Sequence, residues 1–214
     1  MESIENEILT RLKREKKGTI FFTEDLVSIG NAKAISKALE RLESKGLITR
    51  VARGVYKKLE YFALLGEFMG ATPDQIAQAI AKRDKARIIK SGIYALNALG
   101  LSTQVPMNIV YLTDGAARRI KIGNIHGIVF KKTSPKNLAT KSHLCCLVIQ
   151  AIKAIGKGNI YESEKKKLVD FLKTVDVETL KHDITLAPEW VRIIMREALN
   201  RWFIFIVMLK CPVF

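Results

Sequence analysis

Three histidines and three cysteines are the groups of this chain best suited to nucleophilic or metal chemistry. A cysteine nucleophile needs a base within hydrogen-bond reach. His143 and Cys145 stand two positions apart in an apolar run with helical spacing, where side chains at i and i+2 diverge. His126 falls in an expected hairpin turn, and His182 lies on a charged helix. None has Cys, Asp or Glu at metal-ligand spacing, so no metal and no cofactor is expected. Thr113-Asp114-Gly115 offers an acid at a strand end, but a β-turn accounts for the same residues. Gly156-Lys157-Gly158 lacks the preceding glycine and the Ser or Thr of a phosphate loop. No catalytic constellation is visible, and an enzyme is not expected.

The chemistry that is abundant is cationic. The chain has 214 residues, a formal charge of +15 and an apolar fraction of 48%. That apolar content argues for a packed core, and the length for one or two domains. The basic excess points to a polyanionic partner, nucleic acid first and a membrane surface second. It is most one-sided over residues 59–141, where 12 Lys and Arg face 5 Asp and Glu. Cys145, Cys146 and Cys211 form neither a disulfide framework nor a metal pattern. The adjacent pair sits in an apolar run and reads as small core residues. A reducing, cytoplasmic compartment is expected, with no signal peptide. The apolar tail Trp202 to Leu209 is too short to span a bilayer.

Elements must position those cations. Residues 3–16 carry Ile4, Ile8, Leu9 and Leu12 on one side and predict a helix closed by Gly18. A short extended piece, Thr19 to Phe22, follows. Thr23 is placed to cap a second short helix with Glu24 and Asp25 in its first turn and Leu26 and Ile29 inward. Asn31 then opens a third helix. Ile35, Ala38, Leu39 and Leu42 form its buried face, and Gly46 follows its end. Lys33, Ser36, Lys37 and Arg41 stay outside. Next comes an alternating stretch with Ile48, Val51 and Val55 inward, Arg50, Arg53 and Lys57 outward, and a turn at Arg53-Gly54. Helix, strand, helix, turn, helix and basic hairpin within 58 residues is the order of a winged helix-turn-helix. In that arrangement the third helix enters the major groove. Lys33, Ser36 and Lys37 would meet base edges or flanking phosphates. Arg50, Arg53 and Lys57 would meet phosphates, or Arg53 the minor groove. A protein-interaction module with a solvated basic face fits the same residues.

Residues 59–72 are too apolar for a free linker; Tyr61, Phe62, Leu64, Leu65, Phe68 and Met69 suit docking or a dimer surface. From Pro73 the pattern changes. Pro73 opens a short helix with Ile76, Ala77, Ile80 and Ala81. Arg87 to Lys90 reads as extended. Ser91 caps a helix carrying Tyr94, Ala95, Ala98 and Leu99. Met107 to Thr113 is β-rich. Arg118 to Ile122 and Ile128 to Lys132 form a hairpin about Gly123-Asn124. An apolar helix at Ser142 to Ile155 and three further helices to Leu199 complete the chain. The fold class expected is α+β: a winged helix at 1–58, a mixed α/β domain with a small sheet and a helical end at 73–199, and an apolar tail at 200–214.

The run SGIYALNALGLSTQVPMNIVYLTDG (Ser91 to Gly115), then RRIKIGN (Arg118 to Asn124), resembles the AbiEi family of type IV toxin–antitoxin antitoxins. APEW (Ala187 to Trp190) and ALERLESKGLITRVARGVY (Ala38 to Tyr56) are similar too, and the resemblance covers about residues 3–199. It implies a protein encoded beside a nucleotidyltransferase-like toxin. Such a protein would bind inverted repeats in its own promoter as double-stranded DNA and repress its operon. Its C-terminal domain would counteract the toxin, typically without a stable complex. Basic surfaces on both domains would serve DNA. The carry-over falls on Lys33, Lys37, Arg41, Arg50 and Arg53, and in the second domain on Arg118, Arg119, Lys121, Lys131 and Lys132. For Ser91, Tyr94 and Gln104, an antitoxin role and a structural one both stay open. The residues alone leave open a regulator without antitoxin activity, or an enzyme acting on the toxin or its RNA product. The tail NRWFIFIVMLKCPVF departs from the family pattern. A docked strand, a dimer contact and an accidental extension all fit it.

Overall fold

A computed structural model describes residues 3–59, 61–62, 67–68, 70–104, 106–122 and 126–210. Among them the chain is α+β, with eight α-helices and sheets of three, two and four strands. It divides into two compact units. One holds residues 1–85 and 119–128; the other holds 86–118 and 129–214. The 73–85 segment, assigned to the second domain on sequence, is thus grouped with the first unit.

The first unit opens with α1 (Ile4–Arg14), whose N-terminus is capped by the Ser3 hydroxyl accepting from Asn6 N–H at 3.3 Å. Ile8 and Leu12 are buried. Its C-terminal carbonyls are covered by Lys58, which donates to Leu12 O and Glu15 O at 2.6 and 2.7 Å. β1 (Ile20–Phe22) leads into a 3-10 turn, Thr23–Leu26. Here the sequence expectation is corrected: Thr23 is the first residue of the turn, not its cap. The Asp25 carboxylate instead accepts from Phe22 N–H at 2.8 Å, which tightens the segment to one turn.

α2 (Ala32–Ser44) begins as its sequence dictates, with Asn31 Oδ1 accepting from Ala34 N–H at 2.9 Å. Ile35, Ala38, Leu39 and Leu42 are all buried. Gly46 takes φ +67°, the left-handed geometry that ends a helix. β2 (Ile48–Ala52) and β3 (Val55–Lys58) pair antiparallel, and β1 adds to β3, giving the order β1-β3-β2. The register shifts between Arg50 and Ala52, and Ala52 is buried while Val51, expected inward, is half-buried. The core joins α1 and α2 to this sheet through Leu26, Ile48 and the stacked pair Phe21–Tyr56, 5.9 Å between centroids.

β4 (Tyr61–Phe62) and β5 (Glu67–Phe68) pair antiparallel. The docking role expected of Leu64, Leu65 and Met69 lies outside the described residues. α3 (Pro73–Arg83) starts on a reciprocal cap between Thr72 and Gln75 and buries Ile76, Ala77, Ile80 and Ala81. It packs on β1, with the Arg83 guanidinium 4.4 Å from the centre of the Phe22 ring.

The four-stranded sheet follows, from β6 (Ile88–Lys90), β7 (Asn108–Thr113), β8 (Arg118–Ile122) and β9 (His126–Lys132), in the order β6-β7-β9-β8. His126 thus opens a strand rather than occupying the turn; Gly123-Asn124 lie outside the described residues. α4 (Gly92–Ala98) packs on α5 (His143–Ile155). A Cβ at Gly92 would stand 2.4 Å from the Ala154 Cβ, so glycine is required at this crossing. Ala95 and Leu99 are buried, whereas Ala98 faces out. The middle of α5, from Cys145 to Ile152, is buried, and α6 (Glu162–Leu172), α7 (Val177–Leu186) and α8 (Glu189–Lys210) pack around it. The buried Asp183 carboxylate accepts from Lys141 and Ser142 N–H at 2.9 Å each, tying α7 to the start of α5. α8 runs on to Lys210, so the tail begins as helix rather than strand; residues 211–214 lie outside the described residues. No helix among the described residues is long and apolar enough to cross a membrane.

Candidate nucleic-acid interface

The outward face of α2 divides into two electrostatic halves. At the N-terminal half, Lys33, Ser36 and Lys37 are exposed, and neither lysine makes an ion pair among the described residues. At the C-terminal half, Glu5 of α1 pairs with Lys45 and lies 3.9 Å from Arg41, whose side chain remains 66% exposed. Free positive charge on this helix is therefore concentrated in its first two turns. These are the turns that a helix entering a major groove presents to bases.

The β2–β3 hairpin adds two cations. Arg53 is exposed at the turn, where Gly54 at φ +71° supplies the reversal. Arg50 is exposed on β2, and its backbone N–H donates to Glu43 Oε1 at 2.9 Å, joining the strand to α2. Lys57 requires a correction. It is 2% exposed, and its ammonium donates to Gly70 O at 2.8 Å. β3 is the central strand, with Tyr56 turned to the α1–α2 core and Val55 and Lys57 on the opposite face. Buried on that face and bonded to Gly70 O, Lys57 is an internal tie rather than a phosphate contact.

On the four-stranded sheet, Arg119 and Lys121 are exposed and share one face of the edge strand β8. Lys131 and Lys132 are also exposed but, as neighbours in a strand, point to opposite faces. Arg118 is half-buried, with its guanidinium 5.5 Å from the centre of the Phe130 ring. It packs where the sequence expected surface charge. Lys136, exposed in the 3-10 turn Pro135–Leu138, adds a cation that strand alternation does not reveal.

The catalytic groups do not converge. Cys145 is fully buried, and burial pushes its thiol up to about 11. Burial raises the neighbouring Cys146 as well. His143 is exposed. The Asp114 carboxylate is held below its ordinary range by hydrogen bonds from the backbone and side chain of Arg87. His182 Nδ1 lies 2.8 Å from Asp183 Oδ1, but that carboxylate is committed to the start of α5. No group of three or more His, Cys, Asp or Glu among the described residues is placed to hold a metal ion. Near the central motif, Lys90 Nζ sits 3.7 Å over the Tyr94 ring and Ser91 N–H donates to Val110 O at 2.8 Å.

A family model matches residues 7–180, from within α1 to within α7. The chain belongs to that family, DUF6088, a family of unknown function. Among solved structures, this DUF6088 chain is similar to the RV2827C protein from Mycobacterium tuberculosis. The TM-score is 0.53 at 15% identity, covering 94% of this chain and 77% of that one. At that identity the likeness is one of fold. No curated protein matches the chain.

Proposed function

We propose that the first unit is a winged helix that binds double-stranded DNA, and that the chain is an autorepressing antitoxin of the type IV kind. The observation that carries the DNA reading is the unpaired, exposed pair Lys33 and Lys37 on the opening turns of α2, beside the basic β2–β3 hairpin of the same unit. The element order over residues 4–58 supports it, with the second helix reduced to a 3-10 turn. Arg50 and Arg53 serve phosphates from the hairpin; Lys57 is released from that role. The second basic surface, with Arg119 and Lys121 on one strand face, extends the polyanion contact.

The antitoxin half of the reading rests on the resemblance of Ser91 to Gly115 and its flanking motifs to AbiEi antitoxins. On it, the second unit counteracts a nucleotidyltransferase-like toxin in the cytoplasm without requiring a stable complex. The chain acts as a binding protein, with no cofactor.

The DNA arm is tested by fluorescence anisotropy with the duplex upstream of the gene. Wild-type protein binds an inverted repeat, two copies per palindrome, with affinity falling about a thousandfold or more between 50 and 200 mM salt. Lys33→Glu or Arg53→Glu abolishes binding at unchanged melting temperature. Wild-type affinity in both variants refutes the assignment. The antitoxin arm is tested by co-expression with the adjacent open reading frame: relief of growth arrest supports it, and persistent arrest opposes it.

A further inference from the structure

A cavity of about 370 Å³ opens in the first unit, walled by α1, β1, the 3-10 turn Thr23–Leu26 and α3. Nothing in the DNA reading uses it. Its volume lies within the range of about 300–1,000 Å³ typical of small-molecule sites. The floor is apolar, built from Leu12, Phe21, Phe22 and Leu26, with Ala79 of α3 on the far wall. Arg11, Lys82 and Arg83 line it as cations, Glu15 and Asp25 as anions.

These charges are not equally available. Asp25 is occupied by the Phe22 N–H. Arg83 is occupied by Glu24 through Nη1 at 2.8 Å and by Asp84 through Nε at 2.9 Å, while its plane covers Phe22. The Lys82 side chain is exposed and makes no hydrogen bond or ion pair among the described residues. Arg11 spends Nη1 on Asp25 O at 2.6 Å, leaving Nε and Nη2 as donors. Uncommitted positive charge therefore stands at the mouth of an apolar hollow. The carboxylates of Glu15 and Asp25 in the same lining disfavour a second negative charge on any occupant.

We propose that this cavity is a binding site for a small organic monoanion with a flat apolar body. Arg11 and Lys82 take the anionic head, and the apolar body lies against Leu12, Leu26 and Ala79. The net charge of +15 raises the local concentration of such anions. The site stands whether or not the first unit binds DNA.

The test is a fluorescence titration of the full chain with 1-anilinonaphthalene-8-sulfonate, an aromatic monoanion. The expected result is a saturable one-to-one rise in emission. Ala79→Trp, which fills the cavity, and Lys82→Glu each weaken it by at least about tenfold. Lys33→Glu, the same charge change on α2, leaves it unchanged. Naphthalene-2-sulfonate displaces the probe, and neutral 2-naphthol at equal concentration does not. Non-saturable emission, equal binding by all four proteins, or equal displacement by the neutral competitor overturns the proposal. Thermal melts establish that each variant is folded. If Ala79→Trp is not, Lys82→Glu and the competitor pair decide.

Discussion

Lys57 shows how a residue's type can mislead about its role. Its position beside Arg53 on a basic alternating stretch marks it as a phosphate ligand, yet its ammonium is buried against Gly70 O. Replacing it with Met keeps the aliphatic volume and removes the charge-assisted bond. We expect a loss of about 1–3 kcal/mol in urea unfolding, with duplex affinity of the folded protein within about twofold of wild type. Lys37→Met, on the exposed face of α2, should do the reverse. Cys145 makes a second residue-scale case. Its thiol rises from an ordinary 9.0 to about 11 because burial penalises the thiolate. The folded value lies above the unfolded one, so the contribution to stability is fully present below about pH 9 and is lost as pH climbs towards 11. The urea midpoint should fall across that window, and Cys145→Ser should flatten the fall. At pH 8, iodoacetamide should leave Cys145 unmodified in native protein and alkylate it in denaturant, as peptide mass spectrometry can show.

At the scale of elements, local periodicity was enough to read helices and too little to read neighbours. The four inward residues of α2 and the four of α3 are all buried, because a 3.6-residue period and a capping residue are written in adjacent positions. The Asn31 cap was legible for the same reason. Illegible features each depend on a distant partner. Glu5 pairs with the end of α2 from another helix, the β2–β3 register shifts between Arg50 and Ala52, and Asp183 holds the start of α5 from α7. Gly92 belongs with these. In sequence it follows Ser91, which was expected to cap the helix but whose side chain makes no capping hydrogen bond, and carries no signal of its own. In the fold it is the point of closest approach between α4 and α5. Gly92→Ala places a methyl group 2.4 Å from the Ala154 Cβ and close to the Gln150 carbonyl, in a backbone that has little room to retreat. We expect about 1–3 kcal/mol of destabilisation by chemical unfolding. The double variant Gly92→Ala/Ala154→Gly should recover part of it. Failure of the second glycine to compensate would place the strain on the Gln150 carbonyl instead.

At the scale of the whole molecule, the proposed DNA binding raises the question whether one basic surface or two would meet the polyanion. The charge excess is spread along the chain, with the most one-sided stretch at residues 59–141 rather than in the helix and hairpin that carry the DNA reading. A winged helix acting alone would make the rest of that charge incidental, a matter of solubility and long-range attraction. The two possibilities differ in their ion release. Each phosphate neutralised lowers the slope of log affinity against log salt by about 0.9, and removing one contact should reduce the slope by about one. Lys33→Ala and Arg53→Ala should each take away about one unit on any duplex reading. Arg119→Ala and Lys121→Ala share an exposed face of β8 and decide the issue. If both surfaces bind, the β8 double variant loses about two further units and weakens binding equally on the operator and on unrelated duplex, because phosphates carry no sequence. If only the surface of α2 and the β2–β3 hairpin binds, the slope keeps its wild-type value and the loss is confined to a small change in association rate. Arg118→Ala is the internal control. Half-buried over Phe130, it should lower the melting temperature and leave the slope unchanged in either case.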